Sequence, residues 1–184
     1  ETVHYRMSQF TKALGHKYLR VNGPIDNITM DDISTENINI LKPKIYLNEK
    51  KLSFNLPQNY AILFIGASKS YKKWDIKKFA VVAKYLKDNY GYTIVLCGGP
   101  NDINESKSFK QYFNDDYLDF VEKTTLIELL YVINNGNIII SNDTAAPHIA
   151  VALSMKNVFV ISNGFHLGRF VPYPKNVSEN YHVI

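Results

Sequence analysis

Ser-Asn-Asp-Thr-Ala-Ala-Pro-His, at residues 141–148, follows the apolar run 137–140 and precedes the apolar segment 149–153. This pattern predicts a polar loop that connects the end of a buried strand to the start of a buried helix. Such a strand-to-helix loop is called a polar corner below. Open α/β sheets bind ligands at such corners, outside the carboxyl ends of their strands. The start of a helix also offers unpaired backbone N–H groups and the positive end of the helix dipole. The segment therefore predicts a corner that is suited to a phosphate group.

Pro147 limits where the helix of this corner begins. Proline lacks an N–H group and belongs in the first turn, so the helix cannot begin much before Asp143. Asn142, Asp143 or Thr144 is then the N-cap, and a carboxylate there stabilises the helix by about 0.5–2 kcal/mol. Asp143 thus has a purely structural interpretation as well as a functional one. His148 either faces a ligand or is a buried core histidine.

From residue 60 onward, strand-like and helix-like segments alternate. Apolar runs predict five strands, at 60–65, 92–97, 117–121, 137–141 and 157–161. Helical patterns between them include a stripe of Ile76, Phe79, Ala80, Ala83, Leu86 and Tyr90, the segment 101–113, and a helix that begins with the capping box Thr125-x-x-Glu128. This order predicts an α/β fold, with a Rossmann-like parallel sheet of about five strands and helices on both faces.

The residues before 60 follow a different pattern. One face of a helix is indicated by Val3, Met7, Phe10 and Leu14. Gly15 is placed to end that helix, and 16–59 lacks clean periodicity apart from a short extended candidate at 45–47. We therefore divide the chain into an N-terminal helix and arm, 1–59, and a Rossmann-like domain, 60–184. Because the chain begins inside a helical pattern without Met, we expect it to be part of a longer protein.

Composition is that of an ordinary soluble domain with a mild basic excess. Hydrophobic residues make up 46% and charged residues 21%, and the net charge is +4. Either a solvated lysine-rich surface or a site for an anion or an acidic membrane accounts for that charge. Cys97 is the only cysteine, which excludes an internal disulfide and a cysteine-based zinc site. No apolar run approaches the roughly 20 residues that span a bilayer.

A second polar corner follows the first predicted strand, at residues 66–75, Gly-Ala-Ser-Lys-Ser-Tyr-Lys-Lys-Trp-Asp. Small residues let a ligand approach the backbone closely, and the Ser68 hydroxyl and the Lys72 ammonium group are suited to phosphate oxygens. Asp75 is placed to cap the next helix. The corner contains neither a P-loop nor a Gly-x-Gly-x-x-Gly motif. The alternative is a flexible lysine-rich loop in which Trp74 packs on the start of that helix.

A third corner, Gly-Gly-Pro at 98–100, follows the second strand. Two glycines and a proline form a tight turn. Beyond it, Asp102 or Glu105 is suited to accept hydrogen bonds from ribose or sugar hydroxyls. A plain turn followed by a helix cap is the structural alternative.

The segment 163–170 follows the fifth strand, again at its carboxyl end. It contains Arg169, a candidate partner for a phosphate or a carboxylate. The group of His148, His166 and Asp143 raises the question of a metal, but the spacing fits no standard metal motif. We therefore expect no metal site.

Together these corners resemble the bacterial ADP-heptose:lipopolysaccharide heptosyltransferases, over about residues 60–174. The resemblance rests on the block 62–74 with its Lys-x-Trp, on the turn 98–100, and most of all on 141–153. The last block is similar to the family pattern Asp-Thr-Gly-x-x-His-Leu-Ala, with Ala145 in place of the glycine.

The resemblance implies the C-terminal, donor-binding half of a GT-B glycosyltransferase. The implied donor is a nucleotide-sugar such as ADP-heptose, which is a substrate, with no cofactor and no essential metal. The implied acceptor is lipopolysaccharide core or a related glycan, bound by an N-terminal domain that also carries the catalytic carboxylate, so the chain alone should be inactive. The implied location is the cytoplasm, with peripheral association at the inner face of the inner membrane, and nucleic acid is not a partner.

The family's site residues carry over only where the motifs match. Ser68 and Lys72 would contact the donor diphosphate, and the N–H groups of Thr144 and Ala145 would meet its phosphates. Asp143 would bind sugar hydroxyls, and His148 would line the same pocket. An alternative from another class is a Rossmann-like nucleotide-binding module without transferase activity, and an RNA-binding α/β domain has less support.

Overall fold

The computed structural model describes residues 43–48, 52–167, 171–173, 175 and 177–184. The strands are β1 (Tyr60–Phe64), β2 (Thr93–Cys97), β3 (Leu118–Asp119), β4 (Ile138–Asn142), β5 (Val158–Ile161) and β6 (Tyr181–Val183). The α-helices are α1 (Ile76–Tyr90), α2 (Ile103–Tyr112), α3 (Leu126–Asn135) and α4 (Ala145–Ala152). Short 3-10 turns, Ser70–Lys72 and Pro100–Asp102, precede α1 and α2. No helix in these ranges is long and apolar enough to cross a membrane.

The described strands form one parallel sheet in the order β3-β2-β1-β4-β5-β6. The chain starts at β1, moves outward to β3, and then crosses back through α3 to place β4 on the other side of β1. The direction of winding therefore reverses between β1 and β4. In open parallel sheets, this reversal leaves a crevice at the carboxyl ends of the two central strands.

Both faces of the sheet are covered, as the continuous apolar runs predict. Along β1, Tyr60, Ile62 and Phe64 pack with α3 and α4. The alternate residues, Ala61 and Leu63, pack with α1 and α2 on the opposite face. The expected Rossmann-like layers are thus confirmed.

The helix α1 begins and ends close to the predicted positions. Asp75 caps its start, since its carboxylate accepts a hydrogen bond from the Lys77 N–H at 2.9 Å. Gly91 ends it in the left-handed conformation, with φ of 67°. The predicted apolar stripe is wrong at one position, because Tyr90 is 59% exposed. Tyr90 occupies the last helical turn, where its ring stacks on Tyr92 at 6.1 Å instead of contacting the sheet.

Two strands differ from the sequence-based expectation. β3 covers only Leu118–Asp119 of the predicted 117–121, because Asp119 Oδ1 accepts a hydrogen bond from the Val121 N–H and turns the chain. A sixth strand, β6, pairs in parallel with β5. Its three residues are too short to show a strand pattern in sequence.

The described part of the predicted arm, 43–48 and 52–59, lies against the sheet domain. Its Ile45 N–H donates to Ala152 O at 2.8 Å, but 43–48 forms no strand, so the extended candidate at 45–47 does not join the sheet. Phe54 packs its ring against Phe120 at 4.6 Å. The predicted helix near the N-terminus lies outside the described residues, and the boundary at residue 60 stays a prediction.

Candidate functional site

The polar crevice lies where β1 and β4 end side by side. The register pairs Phe64 with Ser141, so the residues that follow each strand emerge next to each other. On the β1 side these are Gly66 and the loop that leads to α1. On the β4 side they are Asp143 and the start of α4. The two corners that the sequence predicts thus meet at one edge of the sheet.

Asn142 joins these two corners. Its side-chain Nδ2 donates to Ile65 O at 2.8 Å and to Gly66 O at 3.2 Å. Its Oδ1 accepts from the Trp74 N–H at 2.9 Å. The residue is fully buried. The sequence suggested only a possible helix cap here, and no local pattern reveals that the side chain binds a loop 68 to 77 residues earlier.

Thr144, among the three candidates, is the N-cap of α4. Its backbone is extended, with φ of −136°, and its Oγ1 accepts from the Ala146 N–H at 3.4 Å. Pro147 lies in the first turn, as predicted. The start of α4, with Ala145 as its first residue, therefore lies beside the β1 corner and brings its N–H groups and the helix dipole to the crevice.

Asp143 has a different role from the cap. The residue is 5% exposed, and its Oδ2 lies 2.6 Å from His166 Nδ1. A carboxylate only accepts hydrogen bonds, so Nδ1 carries the proton and donates it. Oδ1 has no hydrogen-bond partner among the described residues. This arrangement leaves one carboxylate oxygen for a ligand.

Lys72 brings a positive charge to the same group. It closes the 3-10 turn Ser70–Lys72, and its Nζ lies 3.4 Å from His166 Nδ1. Since Nδ1 donates to Asp143 and an ammonium group only donates, Lys72 does not hydrogen-bond to that nitrogen. Lys72, His166 and Asp143 are hereafter called the Lys–His–Asp cluster. Ser68 lies nearby in sequence but is exposed, without a side-chain hydrogen bond to the described residues.

The β2 corner packs directly against the β1 corner. Asp102 Oδ2 accepts from the Gly99 N–H at 2.9 Å. A Cβ atom at Gly66 would lie 1.9 Å from Asp102 Oδ1, so any other residue at that position must displace the Asp102 carboxylate. The Asp102 carboxylate therefore closes the turn after β2 and packs against the backbone of Gly66.

Glu105 lies at the start of α2 and forms an ion pair with Lys73. Its second oxygen, Oε2, is buried without a hydrogen-bond partner among the described residues. The pair lines a cavity of about 260 Å³ together with Trp74, Asn104 and Ser108. Of the two candidate carboxylates in this corner, Glu105 is the one with an unpaired oxygen beside a cavity.

His148 is half-buried on α4 and contacts the C-terminal segment. Its Nδ1 lies 2.9 Å from the Tyr173 hydroxyl. Burial raises the pKa of Tyr173, which keeps the hydroxyl protonated at neutral pH and able to donate to the imidazole. The structure thus places His148 in a partnered environment rather than alone in the crevice.

The loop after β5 closes the other side of the cluster. Asn163 Nδ2 donates to Tyr71 O at 3.1 Å, and its Oδ1 accepts from the Phe165 N–H. The side chains of Tyr71 and Phe165 are 58% and 63% exposed, with ring centroids 6.4 Å apart. Arg169 lies outside the described residues, so its predicted role stays a prediction.

The structure also bears on the question of a metal site and on the single cysteine. Within the described residues, no group of three His, Cys, Asp or Glu side chains is arranged to hold a metal ion. Cys97 is a buried residue of β2, and burial raises the pKa of its thiol. It belongs to the hydrophobic core.

The fold and the crevice define a Rossmann-like α/β unit with a polar site at the point where the winding reverses. The model of glycosyltransferase family 9 (heptosyltransferase) matches residues 30–178. The chain therefore belongs to this family, and the resemblance seen in the sequence is confirmed. A comparison with curated protein sequences finds no match.

Solved glycosyltransferases share the fold. A family 9 glycosyl transferase from Veillonella parvula is similar to this chain, with 23% sequence identity and a TM-score of 0.61, over 71% of this chain and 36% of that chain. For E. coli ADP-heptose LPS heptosyltransferase II, the sequence identity is 22% and the TM-score 0.62, over 72% of this chain and 40% of that chain. For E. coli heptosyltransferase WaaC with ADP-2-deoxy-2-fluoro heptose, the sequence identity is 23% and the TM-score 0.54, over 71% of this chain and 38% of that chain. The chain thus spans 36–40% of the length of these proteins.

Proposed function

We propose that this chain binds the sugar donor of a glycosyltransferase that transfers a sugar to lipopolysaccharide core or a related glycan. The observation that carries the proposal is the Lys–His–Asp cluster, which lies at the winding reversal of a family 9 chain. It combines a cation, for a diphosphate, with a carboxylate oxygen, for hydroxyl groups. A nucleotide-sugar presents both kinds of group next to each other.

The diphosphate is assigned to the positive side of the crevice. Lys72 supplies an ammonium group, and the Ser68 hydroxyl is exposed on the same loop. The Thr144 and Ala145 N–H groups lie at the start of α4, where the helix dipole favours a negative charge. These residues would hold the phosphates without a metal ion, and no cofactor is required.

The hydroxyl groups of the donor are assigned to carboxylates. Asp143 Oδ1 is the oxygen that His166 leaves unoccupied, and it is suited to the sugar. On the β2 side, Glu105 Oε2 is suited to ribose hydroxyls, whereas Asp102 already accepts from Gly99. His148 would line the pocket from α4, held by Tyr173.

In the proposed reaction, an acceptor hydroxyl oxygen forms a bond to the anomeric carbon of the donor. The bond between that carbon and the diphosphate oxygen breaks, and its electron pair leaves with the nucleoside diphosphate. The acceptor proton passes to a general base in a part of the enzyme beyond this chain. Lys72 and the start of α4 would stabilise the negative charge that develops on the leaving group. The isolated chain should therefore bind the donor without turning it over.

ADP-heptose is the donor that we propose. WaaC, which has a similar fold, was solved with ADP-2-deoxy-2-fluoro heptose. The acceptor would bind to an N-terminal domain that faces this unit across a cleft, as in other GT-B enzymes.

Titration calorimetry with ADP and with ADP-heptose tests the proposal. We expect binding of both, with preference for the intact sugar nucleotide, and the same affinities in excess chelator. Asp143→Ala should remove the preference for the sugar nucleotide and leave ADP binding largely intact, whereas Lys72→Ala should weaken both ligands roughly tenfold or more. Absence of ADP binding at millimolar concentration would contradict the proposal.

The same titration separates a nucleotide-binding module without transferase activity. Such a module would bind ADP and ADP-heptose equally well, and Asp143→Ala would not change their ratio. RNA binding would instead weaken steeply with added salt.

Peripheral association with the inner face of the inner membrane is also part of the proposal. Tyr85 and Tyr90 are 55% and 59% exposed on α1, which also carries the exposed Lys77 and Lys84. Tyrosine and lysine side chains are suited to the boundary between lipid and water. Sedimentation with anionic phosphatidylglycerol vesicles should retain the chain, and a Tyr85→Ser, Tyr90→Ser double variant should reduce retention. Equal retention of both proteins, or none, would contradict this part.

A further inference from the structure

Two asparagines, one just before β4 and one at its last position, each bind β1 or the loop that follows it. Before β4, Asn137 Oδ1 accepts from the Tyr60 N–H at 2.9 Å. At the last position of β4, Asn142 makes the three hydrogen bonds to Ile65, Gly66 and Trp74 described above. The two residues are thus matched connections from the same strand to opposite ends of β1.

Asn137 binds the first residue of β1, whereas Asn142 binds the loop between β1 and α1. Ile65 and Gly66 are the first residues of that loop, and Trp74 is near its last, so one amide group holds both ends. All three partners are backbone groups, which means that the amide fixes the path of the chain itself. Asn142 is fully buried, so water does not compete for these bonds.

The rest of the loop is held weakly. Inside it, the 3-10 turn has only the short-range bonds of Lys72 N–H to Lys69 O and of Lys73 N–H to Ser70 O. The other long-range connections are the exposed Asn163 bond to Tyr71 O and the ion pair of Lys73 with Glu105. The Asn163 bond is exposed and contributes little, because water replaces it readily, whereas the part-buried ion pair holds the Lys73 side chain and not the backbone. Asn142 therefore supplies the fully buried hydrogen bonds of the loop.

We propose that Asn142 is the positioning residue that holds Lys72 beside His166, within the Lys–His–Asp cluster. Lys72 lies two residues before Trp74, so the bond from Asn142 to the Trp74 N–H limits where the ammonium group can lie. The inference rests on the proposed function for the diphosphate role of Lys72. Asn142 contacts no ligand in this proposal and acts through the loop.

A double-mutant cycle on ADP affinity tests the inference, with Asn142→Ala, Lys72→Ala and both together measured by calorimetry in the full chain. Asn137→Ala is the matched control, because it removes a connection from β4 to β1 at the edge far from the site. We expect roughly tenfold weaker ADP binding for Asn142→Ala and for Lys72→Ala. The double variant should be less than about twofold weaker than either single variant, since interacting residues do not contribute additively. Asn137→Ala should bind ADP as the unchanged chain does.

Hydrogen exchange of the backbone amides gives a readout that needs no ligand. In the unchanged chain, the Trp74 amide should exchange as slowly as the amides of β1. In Asn142→Ala, or in Asn142→Asp if the first variant does not fold, it should exchange at least about tenfold faster while the β1 amides stay protected. Asn142→Asp keeps an acceptor for Trp74 but turns a carboxylate oxygen toward the carbonyls of Ile65 and Gly66.

The two hypotheses fail in different ways. If the unchanged chain does not bind ADP, or if Lys72→Ala binds it normally, the proposed function fails and amide exchange still decides the positioning role. If Lys72→Ala weakens ADP binding by the same factor in the unchanged chain and in the Asn142→Ala variant, the positioning role is wrong. Rapid exchange of the Trp74 amide in the unchanged chain would also overturn it.

Discussion

Gly66 is a residue at which the β1 and β2 corners pack against each other. Its place beside the Asp102 carboxylate leaves no room for a side chain, and Asp102 cannot move away without losing its bond to the Gly99 N–H. The requirement for glycine thus comes from a contact between two loops. It allows the two loops to pack closely at the edge of the crevice.

Gly66→Ala should lower the free energy of unfolding by about 1–3 kcal/mol, because the added methyl group must displace the Asp102 carboxylate. Urea denaturation measures the change. Gly99→Ala is the control, since a Cβ there meets nothing within 4 Å. In an Asp102→Ala background the cost of Gly66→Ala should shrink, and an undiminished cost would show that another contact is responsible.

At the same scale, Asp143 shows why a residue's role depends on its neighbours. Its sequence context fits an N-cap, but Thr144 takes that place, and Asp143 binds His166 instead. The partner lies 23 residues further along the chain, after β5. Because β5 lies beside β4 in the sheet, the two side chains meet, and sequence spacing alone does not reveal this contact.

Among the elements, α3 is the helix that connects the two halves of the sheet. Its capping box forms as predicted, with the Thr125 N–H donating to Glu128 Oε2 at 2.9 Å and Thr125 Oγ1 accepting from the Glu128 N–H at 3.2 Å. Ser53 Oγ also donates to Glu128 Oε1, so the helix start contacts the arm. The box was predictable because all its groups lie within four residues.

Thr125→Ala should destabilise the chain by about 0.5–2 kcal/mol, since the start of α3 loses its side-chain acceptor. Thermal or urea unfolding measures the effect. The neighbouring Thr124 makes no side-chain hydrogen bond to the described residues, so Thr124→Ala should stay close to the unchanged chain. Similar losses for both variants would mean that the box contributes nothing of its own.

For the molecule as a whole, the described part of the arm belongs to the packing of the sheet domain. Partly buried side chains of Ile45, Leu47, Phe54 and Leu56 pack against the core on the face that α3 and α4 cover. The sequence suggested a linker because the segment lacks helical or strand periodicity. Packing of an irregular segment depends on the surface that it crosses, which local patterns do not describe.

A chain of residues 60–184 should therefore be less stable than one of residues 43–184, by on the order of 3–6 kcal/mol for the apolar area that is lost. Urea denaturation of the two chains gives the comparison. Ile45→Ala should reproduce part of the loss, whereas Tyr46→Ala should not, because Tyr46 is 78% exposed. Equal stability of the two chains would support a domain boundary at residue 60.

The sequence by itself determined the parallel α/β architecture, the three polar corners, the cap region of α4 and the family. Those features depend on hydrophobic periodicity and on contacts within a few residues, which the order of amino acids displays directly. The tertiary structure alone decided that β6 joins the sheet, that Asn142 anchors the β1 loop, and that Asp143 pairs with His166. The partners of these contacts lie 23 to 77 residues apart, and only the strand order places them side by side.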